Sequence, residues 1–295
     1  MTEERGISEK GRIYNLIFSN KENEEYKKLQ FAQIPNLFSL PSSVDLITSK
    51  KFDFVYDQLN IGSCVANTTC WCYKFLRREF NPSRLFSYYY SRVLDQQQGD
   101  NSPIYDDGTT MLNGMRSIKI YGTPWESLWP YITRKYSLKP SNSAINDALK
   151  HKILQFSKLN QDITILKNTL ANGLPFVIGI YVYSSFENSD VDITGIVPYP
   201  NKSTERFLGG HAITIVGYDD ITQRFKFVNS WGRGWGNRGY GYIPYNYVLD
   251  RSLTDELYVL QSINFKKKNM NKNNKKLINK IRMRHMNNFQ LKLFK

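Results

Sequence analysis

Gln58-Leu59-Asn60-Ile61-Gly62-Ser63-Cys64, together with the residues that follow, decides how this chain reads. After Cys64, the side chains of Val65, Thr69, Cys72, Tyr73, Leu76 and Phe80 recur at the spacing of one stripe of a buried helix. Asn81-Pro82-Ser83 ends it. Cys64 therefore stands at a helix start, where unpaired backbone N–H groups and the positive end of the dipole favour thiolate. Gly62 and Ser63 let a ligand approach the backbone closely. A thiolate nucleophile also needs an imidazole to share its proton and later protonate the leaving group. The chain has three histidines. His285 lies in a lysine-rich tail and His151 in a lysine-rich helical stretch, and both read as solvated. His211, in Gly209-Gly210-His211-Ala212 at the mouth of a strand, is the one placed to be fixed in a cleft. Further on comes Asn229-Ser230-Trp231-Gly232, whose amide can hold the second ring nitrogen and whose indole can shield that bond.

Beyond this stretch the texture splits. Residues 60–160 read mostly as helix, including a tyrosine-rich helix from Leu85 to Leu94 and another from Thr110 to Tyr121 that stops at Gly122. From residue 174 onward come short β-rich runs: Phe176–Tyr183, His211–Tyr218, Arg224–Asn229 and Tyr240–Ile243, with a turn at Asp219-Asp220. Helices first and strands later imply an α+β arrangement of two lobes with a cleft between them. The expected division is a helical lobe at about 55–165 and a β-rich lobe at about 170–262. A charged segment, 1–40, precedes them, with a short helix around Asn23–Phe31 and breaks at Pro35 and Pro41.

Composition excludes several classes. Aromatic residues make up 14% of the 295 and apolar residues 41%, enough for a sizeable core. The net charge of +14 is uneven: residues 266–295 hold 11 of the 40 Lys/Arg and none of the 26 Asp/Glu, so the body is near neutral. That tail is read as a solvated extension, or as a sequence-blind contact with nucleic acid or an anionic membrane. Three cysteines, without C-x-x-C spacing, exclude a disulfide scaffold and a zinc site. Cys72 lies on the buried stripe, and Cys70 is expected to be partly exposed; neither reads as reactive. No apolar run is long enough to span a bilayer, and the N-terminus has no signal-peptide core. The expected location is intracellular, in cytoplasm, organelle or virion. Gly234-Trp235-Gly236-Asn237-Arg238-Gly239 matches a dinucleotide pattern, but Tyr240–Pro244 behind it reads as strand, not helix. No cofactor or metal is expected.

Taken together, Gln58 with Gly62-Ser63-Cys64, then Gly210-His211-Ala212, then Asn229-Ser230-Trp231-Gly232 with Gly234-Trp235-Gly236 resemble the papain-like (cathepsin-type) cysteine proteases. The resemblance covers roughly residues 40–262. Ser83-Arg84-Leu85-Phe86 and Glu126 to Tyr131 are similar to its leaderless, disulfide-poor branch. It implies a papain-like fold and hydrolysis of peptide bonds through a thioester. Cys64 would be the nucleophile, His211 the general base and acid, and Asn229 its orienting partner. Gln58, with the Cys64 N–H, would form the oxyanion hole. Trp231 would cover the His–Asn bond, and Trp235 would line the leaving-group side. Gly108 and Thr109 would form the ledge for an extended peptide, and Ala212 and Gly179 would line a side-chain pocket. Ile61, Val65 and Thr109 depart from the residues usual in the family, which touches specificity and the disulfide rather than the reaction. The resemblance also implies that residues 1–40 can act as a pro-segment or as a cleft-covering extension. The rival readings are an idle papain-like fold that captures peptides and a structural protein anchored to nucleic acid by its tail.

Overall fold

The computed structural model describes residues 8, 10–22, 24–96 and 103–263; the basic tail at 266–295 lies outside them. The first half holds β1 (Leu16–Ile17), α1 (Glu24–Lys27), β2 (Ser43–Asp45), α2 (Leu46–Lys50), α3 (Cys64–Leu76), α4 (Arg84–Asp95), β3 (Thr109–Thr110) and α5 (Met111–Ile120). The second half holds α6 (Asn142–Ala148), β4 (Ile153–Lys158), α7 (Ile163–Ala171), β5 (Phe176–Tyr183), α8 (Ser189–Thr194), β6 (Phe207–Asp219), β7 (Arg224–Val228), β8 (Tyr240–Pro244), α9 (Tyr245–Leu249) and β9 (Thr254–Ile263).

Helix α3 is the axle. Every residue from Cys64 to Tyr73 is buried, so its apolar stripe has become a helix enclosed on all sides. It can hold threonines there because both find a partner: Thr69 Oγ1 bonds the Val65 carbonyl at 2.9 Å, and Thr68 Oγ1 bonds the Ala212 carbonyl at 3.1 Å. The Thr68 bond ties the helical part to the sheet. Helices α4 and α5 flank α3, capped by Ser83 and Thr110 side chains that accept from Phe86 N and Asn113 N. Phe86, Tyr88 and Tyr90 of α4 pack with Ile61, Ala66, Leu85 and Trp129 in a core of their own.

The strands form an antiparallel sheet in the order β4-β9-β5-β6-β7-β8, with β2 added to β6. Strand β6, 13 residues long, is its spine. One edge of β6 carries β5 along 207–215 and β2 along 217–219, while the other carries β7. The register sets Ala212 opposite Gly179 and His211 opposite Ile180. Strand β4 lies inside the stretch that reads as helix and forms the sheet edge, with β9 between it and β5. This α+β layout is the two-part architecture expected from the change of texture near residue 174.

Residues 10–41 wrap the body. After β1 the chain passes α1 and joins the β4 edge, where Ala32 N donates to the Lys158 carbonyl at 2.8 Å. Asn168 of α7 then clamps it, accepting from Leu37 N at 3.1 Å and donating to the Pro35 carbonyl at 2.9 Å.

Candidate active site

Cys64 opens α3, and its sulfur is wholly buried. The loop before it is fixed from three directions. Asp106 accepts from Gly62 N at 2.8 Å and from the Tyr88 hydroxyl. Ser63, the N-cap, makes no cap hydrogen bond; its hydroxyl pairs with the Tyr131 hydroxyl instead. Tyr131 in turn donates to the Gln58 carbonyl at 2.8 Å. The Gln58 side chain is held by Ser230, whose hydroxyl donates to Oε1 at 2.6 Å. Its amide nitrogen is thereby turned toward the cleft, 3.2 Å from the Ile61 carbonyl and 3.5 Å from that of Ile13.

The imidazole comes from β6. His211 Nε2 lies 2.9 Å from Asn229 Oδ1, and Asn229 Oδ1 also accepts from Ser230 N. This fixes the amide flip and gives Nε2 the proton. The other ring nitrogen, Nδ1, is buried and unpartnered. Trp231 stacks on the imidazole at 4.9 Å and 27°, and Trp235 meets Trp231 edge-on at 5.3 Å. Ala212 N–H points at the Cys64 sulfur, which brings the cysteine and the histidine strand to one place. Trp231, Gly234 and Trp235 line a groove of about 640 Å³ beside them, together with Asp57 and Leu59.

The cleft is occupied by the chain's own N-terminal segment. Leu16 and Ile17 pair in parallel with Thr109 and Thr110, and Asn15 bridges to Gly210. The absence of a side chain at Gly108 and Gly210 makes this approach possible: a Cβ at Gly108 would sit 1.6 Å from Asn15 O, and one at Gly210 would sit 2.4 Å from Leu16 O. Leu16 enters the pocket at Gly179, where a Cβ would be 2.6 Å from its methyl carbon. Tyr14 meets His211 edge-on at 5.7 Å and donates to Glu187 at 2.6 Å. Arg12 lies 4.3 Å over Trp231 and pairs with Asp192 at 2.6 Å, and Lys10 pairs with the same carboxylate. Glu256, from β9, accepts Ser19 N at 2.6 Å and Met111 N at 3.0 Å.

The covered site is chemically quiet. Burial pushes the Cys64 thiol up to about 11, against the N–H groups of Ala212, Val65, Cys64 and Asn15, which favour thiolate. Burial also pulls His211 down to about 4; the bond to Asn229 opposes this and Arg12 adds to it. Both groups are neutral across the intervening pH range. The helix start alone therefore does not produce a thiolate while the segment is in place, because desolvation outweighs the dipole.

The structure gathers Gln58, Gly62, Ser63, Cys64, His211, Ala212, Asn229 and Trp231 around one point, with Gly108, Thr109 and Gly179 along the bound segment. Trp235 lies beneath Trp231, with 3% of its surface exposed. Two expectations are corrected. His151 is buried, not solvated: Phe80 packs on its ring, and Arg77 and Asp147 lie within reach of its nitrogens. Cys70 is fully buried, with its thiol 3.4 Å from the Ser87 hydroxyl. The roles of Asp106, Asn67, Arg84 and Glu256 escape a reading by motif, because each has a partner far along the chain, from 17 residues for Asn67 and Arg84 to 237 for Glu256. For the segment there is a signal: the apolar run Ile13 to Phe18 inside a charged terminus.

The papain family cysteine protease profile matches residues 40–258. The chain belongs to the papain family. An uncharacterized peptidase C1-like protein of Acanthamoeba polyphaga mimivirus is 37% identical over 221 residues, 70% of this chain and 69% of that one. Xylellain, a cysteine protease from Xylella fastidiosa, superposes with a TM-score of 0.76 at 33% identity, covering 89% of this chain and 99% of that one. Procathepsin L2 from Tenebrio molitor larval midgut shares the fold with a TM-score of 0.66 at 17% identity, over 86% of this chain and 79% of that one. Among the described residues, no group of three His, Cys, Asp or Glu side chains could hold a metal ion, and no helix is long and apolar enough to cross a membrane.

Proposed function

We propose that this papain-family cysteine peptidase cleaves peptide bonds with Cys64, His211, Asn229 and Gln58, and that its own N-terminal segment holds it latent. The supporting observation is the gathering of Cys64, Gln58, and the Asn229-held His211 at the point where an extended peptide already lies. In the open site the Cys64 proton passes to His211, and the thiolate adds to the scissile carbonyl. The oxyanion is met by the Cys64 N–H and the Gln58 amide. The C–N bond breaks, the imidazolium protonates the leaving amine, and a thioester remains. Water then adds with His211 as base, releasing the acid and the thiol. Asn229 keeps the ring oriented throughout.

The segment does not present itself as substrate. At the sulfur it offers the Asn15 N–H, a donor, rather than a carbonyl carbon. Its hold is chiefly apolar. Leu16, 5% exposed, contributes roughly 1.5–3 kcal/mol by burial. The partly exposed Arg12–Asp192 pair contributes about 0–1 kcal/mol.

A thiol-directed epoxide should label Cys64 once the segment is released, and mass spectrometry should find no label after Cys64→Ala. Peptide hydrolysis should vanish in that variant while the fold persists. Labelling of Cys70 or Cys72 instead would remove the assignment. The tail, with 11 basic residues and no acidic one, is proposed to bind polyanions without sequence preference. Truncation after Phe265 should abolish a salt-sensitive shift on nucleic acid or anionic vesicles and leave hydrolysis unchanged.

A further inference from the structure

Ser63 occupies the N-cap of α3 yet turns its hydroxyl away from the helix N–H groups. An N-cap side-chain bond of this kind ordinarily stabilises a helix. The lost cap has a counterpart in a directed chain of hydrogen bonds that begins at Arg84. The guanidinium is 12% exposed and lies between the rings of Tyr56 and Tyr131, at 4.4 and 3.8 Å. Its Nη2 pairs with Glu126 at 3.0 Å. Its Nη1 donates to the Asp57 carbonyl at 2.9 Å and to Asn67 Oδ1 at 3.0 Å.

Those bonds fix the Asn67 amide, and the Gln58 carbonyl fixes the hydroxyls from the other end. With Oδ1 committed to Arg84, Asn67 must present its nitrogen to Ser63, and it donates to both the Ser63 carbonyl and hydroxyl at 2.9 Å. The Gln58 carbonyl can only accept, so Tyr131 spends its one proton there and the Ser63 hydroxyl donates to Tyr131 oxygen. The chain ends on two peptide groups. One is Ser63–Cys64, whose carbonyl is bonded by Asn67 and whose N–H belongs to Cys64. The other is that of Gln58, held by Tyr131 at its own carbonyl and by Arg84 at the carbonyl of the preceding Asp57. These two residues carry the donors assigned to the oxyanion.

We infer that Arg84 is a positioning residue for acyl transfer: through Asn67, Ser63 and Tyr131 it sets the Cys64 N–H and the Gln58 side chain in the arrangement that receives the oxyanion. The inference rests on the peptidase reading above. Arg84 touches neither substrate nor sulfur, so its removal should weaken oxyanion stabilisation without altering the nucleophile. Lysine cannot replace it fully, because one ammonium lacks the planar fork that serves Glu126, Asp57 and Asn67 together.

The test uses the chain folded intact and then cut at an engineered site in the exposed turn at residues 20–22, so that the cleft opens. Two rates are compared. Hydrolysis of a peptide amide passes through an oxyanion, whereas alkylation by iodoacetamide is a displacement at sulfur and forms none. Tyr131→Phe should lower kcat about tenfold and Arg84→Met about a hundredfold, less than or comparable with losing an oxyanion donor outright. Arg84→Lys should recover only part of the loss. KM and the alkylation rate should stay within about twofold of the unsubstituted protein in all three. Unchanged kcat in Tyr131→Phe and Arg84→Lys overturns the inference, as does an alkylation rate that falls in step with kcat. If Arg84→Met does not fold, the other two variants decide. An unsubstituted protein that hydrolyses nothing sinks the peptidase reading and this inference with it; an active one whose variants keep their kcat sinks the inference alone.

Discussion

On the cysteine bank of the cleft, Ser63, Asn67, Tyr131 and Arg84 close a circuit of hydrogen bonds drawn from residues 57–131, independent of the bound segment. On the histidine bank, His211 Nδ1, Asn229 Nδ2 and Trp235 Nε1 are buried without partners. Each such atom costs about 1–3 kcal/mol. The circuit of the first bank is made without the segment, although Gln58 Nε2 also lies 3.5 Å from the Ile13 carbonyl and Arg84 Nε is itself unpartnered. On the second bank Tyr14 packs against His211, Arg12 over Trp231 and Leu16 against Gly210. The burial of Leu16 and Tyr14 is of the same order as those costs, so the latency proposed above would rest on a modest margin.

The largest test of this contrast is to cut the folded chain at residues 20–22. Alkylation of Cys64 by iodoacetamide at neutral pH should accelerate at least about a hundredfold, as water returns and the thiolate–imidazolium pair forms. Equal rates before and after the cut would show that the segment does not control the histidine bank. Gly210→Ala is a finer probe, because the atoms nearest the added Cβ all belong to the segment: Leu16 O, Leu16 Cβ and Phe18 Cε2. In the uncut chain it should loosen the segment and raise the alkylation rate about tenfold. A rate below that of the parent would mean the sheet, not the segment, yields.

The smallest effect is in pH. Covered, the site holds one proton as the Cys64 thiol beside a neutral His211; open, it holds one as thiolate and imidazolium, so the pair adds little pH dependence near neutrality. Glu256 does add one. Burial raises it to about 7, against the Ser19 and Met111 N–H groups and with Asp255 adding to the rise, so acid favours the covered state between pH 7 and 4.5. Tyr26, Tyr258 and the Lys21–Asp255 pair surround it. Glu256→Gln should therefore remove the stabilisation by acid. Alkylation of the uncut variant should rise severalfold from pH 7 to 5 relative to the parent, each measured against its cut form. Parallel profiles would remove Glu256 from the balance.

Much of this was legible in the sequence, for a physical reason. Cys64 and His211 sit on elements with strong local signatures, a helix entered through Gly62-Ser63 and a strand carrying Gly209-Gly210, and Asn229 directly follows β7. The helix Cys64–Leu76 and the strand Phe176–Tyr183 follow directly from their apolar patterns. Strand β4 was hidden because its buried and exposed positions do not alternate and bulges interrupt its pairing with β9. His151 looked solvated because its neighbours in sequence are lysines, while its neighbours in space are Phe80, Arg77 and Asp147. Arg84 carries no local sign of its role, since the groups it orders lie 17 and 27 residues before it.

The segment that fills the cleft is joined to the body through residues 20–41, and this sets how latency responds to dilution. A tethered ligand meets its site at an effective concentration of the order of millimolar, whatever the amount of protein in solution. Diluting the uncut chain should not wake it. Cutting changes the order of the reaction: the freed piece becomes a second molecule whose occupancy follows its bulk concentration. A concentrated stock, once cut, should remain partly silenced by its own fragment and gain specific activity as it is diluted.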